Sequence, residues 1–497
     1  MNKSDKRPSE KAKGLSKSRF VQGCQCPKLL WWATYEHDAP ELVPDAALEY
    51  IFEQGHQVGE LARERFPGGV LIDLDHRDPA REPRTQELIA AGVPAIFEAT
   101  VIADSTYAAI DVLLRERGGF VLIEVKSGKS ADDKYILDAA VQTHVARAAG
   151  VDVRRVEIMH LNRDYVHPGP ADLFVREDVT KRAEEFLHDI PGKVQAQLAV
   201  LEGDLPDVKI GPHCCTPRDC PFISRCWPQE EDSVLGIPGM RYPKRFELYH
   251  SGTRSVAELP ADLRLNAVQE RHRRAITSGD TVVEHTLREA LAPYRGRLGF
   301  LDFETVARAV PVWEGTTPWE MIPAQFSYHE GAVGGPYTHQ EFIASPGQDP
   351  RRELAKRLVE VTRGVERVVM YTSFEATQIR YLQKAVPELA AELGALLGKL
   401  IDLEKTVAAH VYHAEFGGSF SIKTVLPALV PGMSYEDAGA ITAGDAASAL
   451  LAKLIFRSAD LSEAELNKLR SDLLAYCKLD TWAMVKLLER LWELAAL

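Results

Sequence analysis

The 497-residue chain lacks several things. It has no run of about 18 or more apolar residues, which excludes a membrane-spanning helix. Its basic start, MNKSDKRPSEKAKGLSKSR, lacks the apolar stretch of a signal peptide. It predicts a disordered basic tail over residues 1–17 and, with the missing span, a cytoplasmic protein with no membrane partner. There is no G-x-x-x-x-G-K-[ST] loop, so nothing suggests ATP use. Net positive charge is absent too: the formal charge is -13, against a chain that coats nucleic acid by bulk attraction. An acidic body still allows local basic grooves and the carboxylate clusters that hold divalent metals. No internal repeat links the two halves, and a single core stops growing near ~250–300 residues, so two different domains are expected.

The pattern of elements is mixed α/β. Residues 18–60 predict helices, with Leu29, Leu30, Trp31 and Trp32 early, and a second helix runs roughly from Leu48 to Phe66 before Pro67-Gly68-Gly69. Residues 93–126 predict three strands with a turn at Arg117-Gly118-Gly119. A helix over 133–149, a strand VRRVEIMHLN and a long helix over 180–203 follow. Residues 231–295 predict a helical linker in which RYPKRFELYHSGTRSVAELP suggests a helix-hairpin-helix. A second α/β region over 296–497 opens on the strand GFLDFET and closes on a helix through LLAYCKLDTWAMVKLLERLWEL.

Two constellations carry chemistry. In IDVLLRERGGFVLIEVKSG, Asp111 lies one hairpin before Glu124, and Glu124 and Lys126 share a strand face. Asp111 and Glu124 are candidate ligands for Mg²⁺ or Mn²⁺, Lys126 a candidate to orient or activate water, and Gln142 on the next helix a further site residue. Glu98 offers one more carboxylate. In FLDFET, Asp302 and Glu304 share a strand face, and Tyr476 and Asp480 share a helix face four residues apart. Glu375, two residues after Ser373 and three after Thr372, and Asp402 offer further carboxylates in the same region. Trp313 and Trp319 flank a loop beside Asp302 and are candidates for stacking a terminal base.

Seven cysteines are present, Cys24, Cys26, Cys214, Cys215, Cys220, Cys226 and Cys477, and clustering in a reducing compartment points to metal ligation. Four cysteines suit a [4Fe–4S] cluster or tetrahedral Zn²⁺. No C-x-x-C pair of the zinc-knuckle kind occurs, which favours iron–sulfur.

The Asp111…Glu124-x-Lys126 pattern resembles the PD-(D/E)xK superfamily, and within it RecB-like nucleases with an iron–sulfur cluster. The resemblance implies a restriction-endonuclease-like mixed sheet over 18–230, a metal ligand on the early helix at His56 or Glu60, and cluster ligands Cys26, Cys214, Cys220 and Cys226. Ala146 stands where that family's Gln-x-x-x-Tyr motif has its tyrosine. The Asp302/Glu304 and Tyr476/Asp480 pair resembles DnaQ-like (DEDD) exonucleases of the RNase H-like fold, which implies metal held by Asp302, Glu304, Glu375 and Asp480, with Tyr476 orienting water. FLDFETV, PAQFSYH and GSFSIKTVLPALVPGMSYED are similar to an uncharacterised bacterial domain fused behind RecB-like nucleases. Together these imply a metal-dependent nuclease acting on single-stranded DNA or DNA ends in end processing, repair or defence, with an RNA-processing exonuclease or a non-catalytic end-binding scaffold as alternatives.

Overall fold

The computed structural model describes residues 14–230, 232–435, 441 and 444–496. The chain forms two compact units, and the division is not a single cut: Arg308–Trp319 belongs with the residues up to Trp227, and the second unit is Pro228–Ala307 with Glu320 onward. A contiguous C-terminal domain over 296–497 is therefore corrected. The inserted segment is held by named bonds. The Trp319 indole donates to the Ser127 carbonyl (2.5 Å), the Ala309 amide to the Gln54 side chain (3.0 Å), and the His167 amide to the Thr316 carbonyl (2.9 Å). Trp319 packs in a core with Val58, Ile123 and Phe174, and Trp313 is buried, so neither tryptophan is a free stacking platform.

In the first unit seven strands form one sheet: β1 (Leu15–Ser16), β2 (Val70–Leu71), β3 (Ala95–Ala103), β4 (Thr106–Glu116), β5 (Gly119–Lys126), β6 (Val153–Leu161) and β7 (Phe174–Asp178). Strands β2 to β7 lie in chain order, and β1 pairs separately with β4. The β4–β5 hairpin turns at Gly118 (φ +85°), while a Cβ on Gly119 would lie 2.5 Å from the Asp152 carbonyl oxygen. β5 and β6 are parallel and are joined through helix Asp133–Ala148, the crossover that parallel pairing requires. The run Phe120–Ile123 is apolar throughout because both faces are covered. Phe120 and Leu122 enter a core with Ile136, Ala139 and Ala140 of that helix, and Val121 and Ile123 enter the other. Alternation therefore puts Glu124 and Lys126 on the helix side.

β4 changes phase at the site. Ala108 and Ile110 pack in the same core as Leu113, and β3 shifts likewise across Glu98, whose φ is +57°. Such an irregularity re-aims side chains, and here it keeps Asp111 in phase with Leu113 on the helix side.

The expected tail over 1–17 ends sooner: Leu15 is buried, β1 pairs with β4, and Lys17 opens helix Lys17–Gln25. The predicted helix over 180–203 is two, Thr180–Leu187 and Ile190–Glu202, divided just before Pro191, which a helix accepts only in its first turn.

Pro228–Tyr294 is more than a linker. Helices Tyr242–His250 and Ala267–Ser278 accompany a small core of Val234, Ile237, Leu248 and Val256. The second half of the expected helical hairpin is a single 3-10 turn, Val256–Glu258, closed by a Ser255–Glu258 capping box.

The second unit adds β8 (Val282–Val283), β9 (Arg297–Val306), β10 (Ile322–Ala332), β11 (Tyr337–Ile343), β12 (Arg367–Met370), β13 (Leu400–Asp402) and β14 (Val411–Tyr412). Five of them form a sheet ordered β11-β10-β9-β12-β13, in which β10 alone runs against the others; β8 pairs with β14. Leu301 and Phe303 of β9 pack in a core with Leu354, Leu358, Ile379 and Leu382 of two helices, Arg351–Val361 and Phe374–Ala385. Asp302 and Glu304 consequently face the opposite side, where helix Glu463–Leu494 lies. That helix starts ten residues before the predicted segment, on a Ser462–Glu465 capping box. Among the described residues no helix is long and apolar enough to cross a membrane.

Candidate active sites

The β4–β5 ladder ends at the Val112–Ile123 pair, so the strands part at Asp111 and Glu124. The Val125 amide, freed from the ladder, donates to Asp111 Oδ2 at 2.7 Å. Glu124 is 1 % exposed. Its Oε1 accepts from Lys126 Nζ (2.7 Å) and from Lys17 Nζ (2.8 Å), and its Oε2 from Gln142 Nε2 (2.5 Å). Lys126 also bonds Asp138 (2.8 Å), which lies four residues before Gln142 on the same helix face. Burial pushes Glu124 up, but Lys126, Lys17 and the Gln142 amide outweigh it and hold the carboxyl at about 2. Among the described residues no ammonium bonds Asp111. Burial and the Glu124 charge raise it to about 7, against the pull of the two lysines. Burial lowers Lys126, yet Glu124 and Asp138 raise it further.

This arrangement brings Asp111, Glu124, Lys126 and Gln142 together, with Lys17 and Asp138 beside them. The amide oxygen of Gln142 is buried and has no hydrogen-bond partner among the described residues. Two carboxylates beside an unpartnered buried oxygen fit a hard divalent cation. His56 does not join them. On helix Ala46–Arg63 the buried stripe is Gln54, Val58 and Ala62, which leaves His56 and Glu60 exposed, and neither bonds the acid pair. Glu98 lies 3.8 Å from Arg81.

Cys26, Cys214, Cys220 and Cys226 line one pocket, together with His213. Gln25 ties the early helix to this loop by donating to the His213 and Arg218 carbonyls (2.9 and 2.8 Å), and Trp32 packs on Phe222 with ring centroids 5.0 Å apart. Cys214 is buried in the pocket lining, whereas Cys215 is outside it and Cys24 is exposed, 3.5 Å from Gln197. Burial, then the neighbouring cysteines, pushes the Cys220 thiol up to about 11.

Asp302, Glu304 and Asp480 offer ligand oxygens within 4.8 Å of one another, the one such set of three among the described residues. Glu375 is buried near them, with Oε2 lacking any partner among the described residues. The Tyr435 hydroxyl donates to Asp480 Oδ1 (2.7 Å), the Cys477 thiol to Asp302 Oδ2 (3.4 Å), and Lys423 Nζ to the Tyr476 hydroxyl (2.6 Å). Burial and mutual repulsion raise Asp302 and Glu304 well above the carboxylate range. Burial takes Glu375 to about 8, and it takes Asp480 to about 6 against Tyr435 and Lys423. Acids this close share a site only if protonated or metal-bound, and an unpartnered buried oxygen among them fits the second. Asp402 is spent otherwise: its carboxylate accepts from the Lys405 amide (3.0 Å) and caps helix Leu403–His410. Thr372 likewise accepts from the Phe374 amide (3.1 Å) at the start of the helix bearing Glu375.

Lys17, Asp138, Lys423 and Tyr435 were not singled out by sequence. Asp138 had a signal, its spacing of four before Gln142. The other three are brought in by tertiary packing alone.

Residues 299–421 match DUF2779, a domain of unknown function; this stretch spans Asp302, Glu304 and Glu375 and stops short of Tyr476 and Asp480. No curated protein matches the chain. Among solved structures, the chain is similar to an alkaline exonuclease (LHK-Exo) from Laribacter hongkongensis, with 15 % identity, a TM-score of 0.24, and coverage of 38 % of this chain and 88 % of that one. It is also similar to the protein SSO0001, at 9 % identity, a TM-score of 0.24, and coverage of 44 % and 88 %. Likenesses at these scores carry no argument about fold or activity, which rests on the sites themselves.

Proposed function

We propose that the chain is a metal-dependent nuclease that hydrolyses DNA phosphodiester bonds at two separate sites: a RecB-like PD-(D/E)xK site at Asp111, Glu124 and Lys126, and a DnaQ-like 3′–5′ exonuclease site at Asp302, Glu304, Glu375 and Asp480. The observation that carries the reading is the convergence of Asp302, Glu304 and Asp480 within 4.8 Å, with Glu375 buried beside them. A bound Mg²⁺ or Mn²⁺ supplies Lewis acidity toward a phosphoryl oxygen and lowers the pKa of water. The chain supplies the rest. Asp111 and Glu124 would hold the cation, Gln142 and Asp138 orient Glu124 and Lys126, and Lys126 would place its ammonium where charge develops on the phosphate. In the second site Tyr476 orients the attacking water and Lys423 fixes the tyrosine. The five-stranded mixed sheet with the acid-bearing strand at its centre supports the RNase H-like assignment, and the fork in the first sheet supports the restriction-endonuclease-like one.

The cysteine pocket suits a [4Fe–4S] cluster better than zinc. Cys26, Cys214, Cys220 and Cys226 line one pocket, four thiols that match the ligand set of such a cluster, and no C-x-x-C pair of the zinc-knuckle kind is among them. The cluster staples the early helix to the segment after the sheet. DNA end processing, in repair or in defence, suits both sites.

The test is cleavage of end-labelled single- and double-stranded DNA, with RNA alongside, in Mn²⁺ or Mg²⁺. Lys126→Ala should remove one set of products by about 10²–10³-fold, and Asp302→Ala a different set. Tight end binding without any product would leave a scaffold, and preferential RNA cleavage would reassign the substrate.

A further inference from the structure

β5 leaves the edge of β4 beyond the Val112–Ile123 pair, and β1 takes that same strand at Thr106–Tyr107. Lys17, the residue after β1, is thereby delivered into the fork. Its ammonium lies 2.8 Å from Glu124 Oε1 with its side chain 20 % exposed, and Asp111 and Asp138 also act on it.

Two features set this lysine apart from Lys126. The first is occupancy. Both oxygens of Glu124 are taken, Oε1 by two ammonium groups and Oε2 by Gln142. Both lone pairs of Oε1 are engaged, so a divalent cation held by Asp111 and this oxygen displaces one of its two ammonium groups. Lys126 has a second anchor on Asp138, and Gln142 a second on the Asp138 carbonyl (3.1 Å), whereas Lys17 has Glu124 as its one hydrogen-bond acceptor among the described residues. Lys17 is the donor held at a single point. The second feature is charge. Three carboxylates (Asp111, Glu124, Asp138) against two ammonium groups leave one excess negative charge. A divalent ion turns this into one excess positive charge, which a single phosphodiester neutralises. Without Lys17 the ion-loaded site would be neutral before substrate arrived.

We propose that Lys17 is an exchangeable cation of the N-terminal site: it rests on Glu124 while the divalent ion is absent and, displaced by it, holds a non-bridging oxygen of the scissile phosphodiester. The inference rests on the nuclease reading of that site. Only the side chain has to move. The backbone is fixed by the Ser16–Tyr107 pairing and by Ser16, whose hydroxyl caps the following helix through the Arg19 amide (3.2 Å).

The experiment uses the full chain carrying Asp302→Asn and Asp480→Asn, so that the first site alone reports. Mn²⁺ affinity is measured by calorimetry without nucleic acid, and binding of a labelled DNA oligonucleotide is measured in Ca²⁺, across a salt series. Lys17→Met should bind Mn²⁺ about tenfold more tightly, because the competing ammonium is gone. It should bind the oligonucleotide about tenfold more weakly, with a salt slope lower by about one ion. Lys17→Arg, which keeps the charge, should retain oligonucleotide affinity and bind Mn²⁺ no more tightly, and it serves as the test should Lys17→Met melt early. Unchanged Mn²⁺ affinity in Lys17→Met would show that the ammonium is not in the ion's place. Tighter Mn²⁺ binding with unchanged oligonucleotide affinity would leave a competitor with no phosphate role. Either overturns the proposal. A parent chain whose Mn²⁺ binding is insensitive to Asp111→Asn would instead overturn the nuclease reading, and the inference with it.

Discussion

Asp111 and Glu124 sit with two ammonium groups, Lys17 and Lys126, whereas the four acids around Asp302 have Lys423 as the cation acting on them. The first site is close to neutral on its own. Glu124 is ionised at about 2, and only Asp111 is raised, to about 7. In the second, burial first and then repulsion among the acids make the carboxyls hold protons above the usual range. Both arrangements suit a divalent cation, but its arrival displaces an ammonium in one and protons in the other.

The largest expected consequence concerns stability against pH. Carboxyls whose folded pKa lies above the unfolded value of about 4 bind protons more tightly in the folded chain. Their stabilising contribution is complete below about pH 4 and is lost as pH rises through Asp480, at about 6, and Glu375, at about 8. The metal-free protein should therefore melt several degrees lower at pH 8 than at pH 5. Mn²⁺ or Asp302→Asn should flatten that slope, while Asp111→Asn should leave most of it. A smaller effect separates the cysteine pocket from both acid sites. Cys226→Ser should remove visible colour and most of about four iron atoms per chain, and lower the melting temperature, while Mn²⁺ binding at Asp302 persists. Stoichiometric zinc in a colourless protein would contradict this.

The two acid sites also differ in how far the sequence revealed them. Alternation with Leu301 and Phe303 placed Asp302 and Glu304 on one face, and a spacing of four placed Tyr476 and Asp480 on another, because both signals are local and periodic. Glu124 and Lys126 were legible for the same reason. Lys17 was not: a polar, lysine-rich start has the composition of a solvated tail, and only the parting of β4 and β5 makes room for it. His56 was misplaced because its helix turns Val58 and Ala62 inward and the histidine outward. The docking of Arg308–Trp319 with the first unit was hidden because chain continuity suggested that the loop after β9 stays with its own sheet. The edge strand Phe174–Asp178 was missed as FVRED, with four of five residues exposed and no apolar alternation to betray it. Helix Arg81–Ala90 was missed as well, being largely polar, with Arg81, Thr85 and Leu88 as its buried residues.

The most direct test of this contrast is the number of protons released when Mn²⁺ binds at pH 7.5, obtained by calorimetry in buffers of different ionisation enthalpy. The account predicts release of about one proton or more from the Asp302 site, lost in Asp302→Asn with Asp480→Asn, and clearly less from the Asp111 site, where an ammonium is displaced instead. Equal release from the two sites, or none from the Asp302 site, would contradict it.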